Sequence, residues 1–316
     1  MRKKILIRSS LAVIGTGLLI PGTLVYRRYR ADMKQAYRRI SSGSKVLQTA
    51  LGAIEYTAFG EGSPVLIIHG SGGGYDQGEY FARLIGGDFH WIAPSRFGFL
   101  KTPVPQEASS EIQADAHACL LDGLGIERAA VVGISGGGPS ALLFAQRYPQ
   151  RTTCLVMGSA VSHLIPPRPT AQALVFNAFL NDFVYWSILR SSKGGLLAAL
   201  GVPVTVQEEL TAEQLTRAYA FLEAIMPMGA RRNGQLLEQH MSAYDTDQIQ
   251  SIETPTLIVH ARDDTLVPFE HAAFTARKIP GAQVVTLEKG GHLALLFDIN
   301  ASSRADIVSF LKRYNS

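Results

Sequence analysis

The sequence predicts an α/β fold, a mostly parallel twisted sheet with an inserted helical segment, and three observations carry that expectation. Short apolar runs recur at Val65–Ile68, Ala129–Val132, Thr153–Met157, Thr256–His260 and Gln283–Leu287. They are rich in β-branched residues and lack strict alternation, as strands buried on both faces require. Helical patterns separate most of them, which is the alternation that builds parallel βαβ units. Glycine-rich or acidic segments follow several of the runs, and the C-terminal edge of a parallel sheet is where sites are assembled.

Taken in chain order, the first 40 residues form a separate module. Arg2-Lys3-Lys4 precede an apolar segment from Leu11 to Tyr26, and Arg27-Arg28-Tyr29-Arg30 follow it. As a helix this segment would be ~24 Å long against a hydrocarbon core of ~30 Å, and Ile5-Leu6-Ile7 extend it if Arg8 snorkels. The expectation is a retained single-pass N-terminal membrane anchor, a transmembrane helix that also makes the membrane a partner. A cleaved signal is the main rival, but no A-x-A site precedes the basic flank; an interfacial helix is the third option. The heavier basic flank lies after the span, which favours a cytoplasmic body.

The body begins at residue 41. Lys45–Ala50 and Ala53–Phe59 read as opening strands before Val65–Ile68. Core segments are expected over 41–161 and 245–316, with a mostly helical cap over 162–244, where the alternation breaks at Pro166-Pro167-Arg168-Pro169. Phe176, Phe179, Phe183, Tyr185 and Trp186 in that insertion read in two ways, as the lining of an apolar substrate pocket or as packing of the insertion onto the core.

Composition excludes some classes. The formal charge of +4 divides into +9 on residues 1–40 and −5 on the remainder, so the folded body lacks the basic surface that nucleic-acid binding requires. No His, Cys and carboxylate cluster has metal-ligand spacing, and no cofactor is expected. Cys119 and Cys154 read as core thiols with no disulfide framework. Nothing in the sequence sets an oligomeric state.

Chemistry concentrates in Gly133-Ile134-Ser135-Gly136-Gly137, between the run Ala129–Val132 and the helix-like stretch Pro139–Ala145. A sharp strand-to-helix turn brings backbone segments so close that only glycines fit beside the central residue. It projects the Ser135 hydroxyl outward and directs the Gly136 N–H at the positive end of a helix. A serine hydroxyl is a poor nucleophile without a base and a group to orient that base. Asp263-Asp264 after the run Thr256–His260, and His292 after the run Gln283–Leu287, supply both types of group at strand ends.

Together these motifs make the chain, from about Ser44 onward, resemble an alpha/beta-hydrolase. The resemblance also covers Val65–Ile68 followed by His69-Gly70-Ser71-Gly72, similar to a strand and its H-G-x-x-G oxyanion loop, and Trp91–Gly98, similar to the segment after the fourth strand. It implies Ser135 as nucleophile, His292 as general base and then acid, and Asp264 as the carboxylate that orients His292. Asp263 is the rival for that last role, and the family's D-x-x-V-P pattern, matched by Asp264-Thr265-Leu266-Val267-Pro268, favours Asp264. The implied oxyanion donors are the N–H groups of Gly136 and Ser71, with Gly72 as an alternative, because Gly72-Gly73-Gly74 stands where the family often has a proline after the loop glycine. His69 reads as a structural hydrogen-bonding residue and His163 as a residue at the cap entrance. His90, His117, His240, His260 and His271 are assigned no role.

The function expected from the resemblance is a serine hydrolase that cleaves a small-molecule carboxylic ester or related acyl substrate, apolar in character, through an acyl-serine. Thioester, amide or carbon–carbon hydrolysis and cofactor-free haloperoxidation are alternatives within the fold, and a noncatalytic ligand receptor is the alternative from another class. Serine at position 135 stands against epoxide hydrolases and haloalkane dehalogenases, which resemble this family but place an aspartate there.

Overall fold

The computed structural model describes residues 2–166, 169–241, 243–297, 299 and 302–315; over residues 2–21 and at 240 that description is of the backbone alone. The chain opens with helix α1 (Arg2–Ser42), then β1 (Lys45–Thr49), β2 (Gly52–Phe59), β3 (Ser63–Ile68), α2 (Tyr75–Ile85), β4 (Phe89–Pro94), α3 (Ser110–Gly123), β5 (Ala129–Ile134), α4 (Gly138–Arg147) and β6 (Thr152–Gly158). Helices α5 (Thr170–Phe179), α6 (Asp182–Ser191), α7 (Lys193–Ala199), α8 (Val204–Glu209), α9 (Ala212–Ala224) and α10 (Arg232–Met241) intervene before β7 (Thr256–Ala261). The chain closes with α11 (Glu270–Lys278), β8 (Gln283–Leu287), α12 (Ala294–Phe297) and α13 (Ser303–Tyr314).

The strands form one sheet in the order β1-β2-β4-β3-β5-β6-β7-β8. β1 and β2 join antiparallel at one edge, and every pairing from β4 to β8 is parallel. Side chains of each central strand divide between two cores: Val65, Ile67, Val132 and Val156 bury on one face, while Leu66, Ile68, Val131 and Leu155 bury on the other. Burial on both faces explains why these strands read as unbroken apolar runs. Beyond β3 the chain crosses to β4 on one side, whereas β5 pairs with β3 on the other. The crevice above β3 and β5 is therefore a switch point in strand order, where open α/β sheets bind ligands.

The N-terminus departs from expectation. Among the described residues no helix is long and apolar enough to cross a membrane, which overturns the transmembrane anchor, the single-pass membrane localisation and the membrane partner expected of Leu11–Tyr26. The side chains of that segment up to residue 21 lie outside the described residues, and its described end, Leu24, Val25 and Tyr26, is exposed. As a helix the 16-residue apolar run is only ~24 Å long against a ~30 Å hydrocarbon core, and α1 does not stop at it. It continues through Arg27, Arg28, Arg30, Lys34, Arg38 and Arg39 and commits its C-terminal half to the protein, where Met33, Ala36 and Ile40 are buried. Asp32 accepts hydrogen bonds from Trp186 Nε1 at 2.9 Å and Arg190 Nη2 at 2.8 Å. Arg39 donates to the carbonyls of Glu223, Ala224 and Met226 at the end of α9.

These contacts also show what two of the insertion's aromatics do. Trp186 packs edge-on against Tyr29, with ring centroids 5.5 Å apart, and Tyr185 donates to the Leu222 carbonyl at 2.9 Å. Both bind α6 to its helical neighbours. The insertion reaches the catalytic edge elsewhere: Arg231 is fully buried, pairs with Asp76 at 2.6 Å and donates to the Gly73 carbonyl.

Candidate active site

Ser135 follows the last residue of β5 and adopts a φ of +50°. A non-glycine residue in that region is strained by ~1 to 3 kcal/mol and persists only where its surroundings impose it. Here close approach on two sides imposes it, since a Cβ on Gly137 would lie 2.7 Å from the His69 carbonyl oxygen after β3 and a Cβ on Gly133 would lie 2.7 Å from Ala141 Cβ of α4. The Val161 N–H fixes the turn from the other side by donating to the Ser135 carbonyl at 2.9 Å. The hydroxyl that results is largely shielded, with Ser135 only 9% exposed.

His292 lies on the short turn after β8, and its backbone N–H donates to the Gly201 carbonyl of the insertion at 3.0 Å. Its Nε2 lies 2.8 Å from Ser135 Oγ, and its Nδ1 lies 2.8 Å from Asp264 Oδ2. An ionised Asp264 can only accept, so Nδ1 carries the ring proton and Nε2 is left to accept from the serine hydroxyl.

Asp264 is held on every side. Oδ1 accepts from the N–H groups of Leu266 and Val267, both at 2.9 Å, and Oδ2 is also 3.2 Å from His260 Nε2. Burial alone would raise its pKa; hydrogen bonds from His260 and His292, the His292 charge and the Val267 N–H outweigh that and hold the carboxyl well below the usual range. Asp263 does different work: it accepts from the backbone N–H of Gly291 at 2.8 Å and of Gly290 at 3.2 Å, fixing the loop that carries His292. The structure thus brings Ser135, His292 and Asp264 together and leaves Asp263 behind the loop.

The segment after β3 closes the site. His69 is fully buried, receives the Arg96 N–H at Nε2 (2.9 Å) and lies 2.7 Å from the Gly70 carbonyl through Nδ1. Burial first, then the Arg96 charge, push its pKa well down, so it is a neutral brace. Gln77 secures the same loop by accepting from Gly70 N at 2.8 Å. A Cβ built on Gly136 would lie 2.8 Å from Ser71 Oγ and 3.4 Å from Ser71 N, whereas Gly72 (φ +68°) turns toward Gln235 and Ile225 of the insertion. Of the two candidates, Ser71 is the one beside Gly136. Next to them a narrow crevice is lined by Gly72, Tyr80, Phe221, Ala224 and Ile225.

Several residues at this site carry no signal in the sequence. Glu238 of α10 pairs with Arg96, whose Nε also donates to the His69 carbonyl at 2.9 Å. His260 is buried with Nε2 2.8 Å from the Val267 carbonyl and with Nδ1 unpartnered among the described residues. Its spacing four residues before Asp264 is the one local hint. His163 stacks on His271 at 3.9 Å and meets Phe274. Among the described residues no group of three or more His, Cys, Asp or Glu could hold a metal ion.

Comparison with known proteins bears on the fold and the family. A family model described as alpha/beta hydrolase fold matches residues 63–299. The uncharacterized hydrolase YcgS of Bacillus subtilis is 30% identical over 83% of this chain and 95% of its own length. A 2-hydroxy-6-oxo-6-phenylhexa-2,4-dienoate hydrolase of Burkholderia cepacia is 29% identical over 74% of this chain and 83% of its own, and Lipase 1 of Psychrobacter immobilis is 26% identical over 86% and 82%. Among solved structures, an alpha/beta hydrolase fold protein from Nakamurella multipartita superposes with a TM-score of 0.69 and 27% identity, covering 85% of this chain and 99% of its own.

Proposed function

The chain belongs to the alpha/beta hydrolase family, and on that premise we propose that it is a serine hydrolase acting on a small apolar carboxylic ester through an acyl-serine. The observation that carries this reading is the continuous hydrogen-bonded path from Ser135 Oγ through His292 to Asp264, whose serine end adjoins Gly136 and Ser71. As Ser135 Oγ attacks the carbonyl carbon, its proton passes to His292 Nε2, and Asp264 stabilises the imidazolium through Nδ1. The N–H groups of Ser71 and Gly136 receive the developing oxyanion, an interaction commonly worth ~3 to 4 kcal/mol per donor. Collapse expels the alcohol, which takes the proton from His292. Water then gives a proton to the same nitrogen and attacks the acyl carbon, and the acid leaves as Ser135 recovers its hydrogen.

A second reading, carbon–carbon hydrolysis by the same serine, is supported by the several dienoate, dienedioate and muconate semialdehyde hydrolases among the relatives. One experiment tests both. Purified protein should be labelled by an alkyl fluorophosphonate, Ser135→Ala and His292→Ala should lose the label, and 4-nitrophenyl esters of graded chain length should be hydrolysed faster than a ring-fission dienone is cleaved. Folded protein that resists the probe would overturn the serine-hydrolase reading, and a faster dienone reaction would replace the ester reading with the carbon–carbon one.

A further inference from the structure

We infer that Glu238, paired with Arg96 at the rim of the oxyanion pocket, selects uncharged acyl groups and excludes acyl groups that carry a carboxylate; this rests on the serine-hydrolase reading above. Glu238 comes from α10, yet its Oε1 lies 2.9 Å from where a Cβ on Gly136 would stand, as close to that point as Ser71 Oγ at 2.8 Å. A carboxylate oxygen therefore sits at the two residues that flank the attacked carbonyl. The same oxygen is held by Arg96 Nη2.

Arg96 cannot turn toward a ligand while it is so held. Its Nε is tied to the His69 carbonyl at 2.9 Å, its guanidinium lies 5.0 Å over the Phe99 ring, and its side chain is 4% exposed against 14% for Glu238. The pair is formally neutral, so it places no net charge beside the transition-state oxyanion. A substrate carboxylate near the reacting carbon meets Glu238, the more exposed and negative end of the pair, first, and gains Arg96 only by displacing Glu238. A neutral acyl chain meets neither cost. Discrimination of this kind comes from a repulsive element aimed at the wrong substrate. It separates this chain from a dienoate hydrolase such as its Burkholderia cepacia relative, whose named substrate carries a carboxylate.

The test compares two matched pairs of reagents: 4-nitrophenyl pentanoate with the 4-nitrophenyl monoester of succinic acid, read as kcat/KM, and an alkyl with an ω-carboxyalkyl fluorophosphonate, read as the rate of Ser135 labelling. The wild-type protein should favour the neutral member of each pair at least about tenfold, and Glu238→Gln and Glu238→Ala should raise the anionic-to-neutral ratio about tenfold, whereas Glu238→Asp should keep the wild-type preference. The ratio is internally normalised, so altered overall activity in a variant does not mimic the effect. Wild-type protein that labels equally fast with both probes overturns the inference without recourse to any variant, as do Gln and Ala variants whose ratios stay within about twofold of the wild type. Wild-type protein labelled by neither probe overturns the serine-hydrolase reading, and this inference with it.

Discussion

Asp263 and Asp264 are adjacent and chemically identical, so exchanging each for asparagine separates what their positions do. Asp264→Asn keeps an oxygen for the N–H groups of Leu266 and Val267, each now at 2.9 Å, so the loop should hold its shape. The amide nitrogen then faces His292 Nδ1 and His260 Nε2, where Oδ2 stood at 2.8 and 3.2 Å. Donor meets donor, and His292 escapes only by moving its proton to Nε2, which can then no longer take the Ser135 proton. The expected loss in kcat is on the order of 10⁴, as seen where a serine protease carries the same exchange. Two charge-assisted hydrogen bonds are also lost, at ~1.5 to 3 kcal/mol each. Because the folded-state pKa of Asp264 is lowered, that stabilisation is fully present above the unfolded carboxyl value of ~3.9 and fades only as pH falls toward the folded one, so the loss is fully expressed at pH 7. Asp263→Asn keeps one oxygen for Gly291 N at 2.8 Å and gives up the longer bond to Gly290 N at 3.2 Å. One such bond is worth ~1 kcal/mol, or at most about tenfold in rate if all of it reached the transition state. Steady-state kcat on a 4-nitrophenyl ester, with unfolding curves for both variants, reads the difference. Equal losses, or a greater loss for Asp263→Asn, would refute the assignment of Asp264 to His292.

Two further outcomes follow from contacts the sequence does not display. His260→Phe removes a donor to Asp264 Oδ2 and to the Val267 carbonyl but also removes the unpartnered buried Nδ1, so the unfolding temperature should change little while kcat falls about tenfold and His260→Gln recovers part of it; wild-type kcat in the Phe variant, or a change in KM alone, would refute a positioning role. Deleting residues 2–25 removes, among the described residues, only exposed side chains, whereas deleting 2–40 also uncovers the surface beneath Met33, Ala36 and Ile40; at ~1.5 to 3 kcal/mol for each of the two larger side chains, the longer deletion should lower the unfolding temperature by on the order of 10 °C relative to the shorter, and equal unfolding temperatures would refute the docking of α1 as a stabilising contact.

What the sequence showed and what it hid divide along a physical line. The strands and the three turns bearing Ser135, Asp264 and His292 were legible because each is local: an apolar run fixes the strand, and a few following residues fix the turn. Even the choice of Asp264 over Asp263 has a local cause, since Oδ1 binds the N–H groups two and three residues ahead and turns Oδ2 toward His292. The contacts between the insertion and the catalytic edge had no such signal. Arg96 and Glu238 are 142 positions apart, and neither spacing nor composition links them before the chain folds. The N-terminal helix shows the same division in reverse. Read as an isolated window, Leu11–Tyr26 resembles a membrane span, but Met33, Ala36 and Ile40 recur at helical spacing of three and four residues and bury against the protein. That stripe is present in the sequence among charged residues, and charge on one side of a helix says nothing about the opposite side. Fold and the turn bearing Ser135 are set by short-range pattern, whereas the acyl selectivity inferred above would be set by where α10 lands beside Ser71 and Gly136. On that inference Glu238 carries more about this chain's substrate than the residues of the turn around Ser135, which serve the bond-breaking step itself.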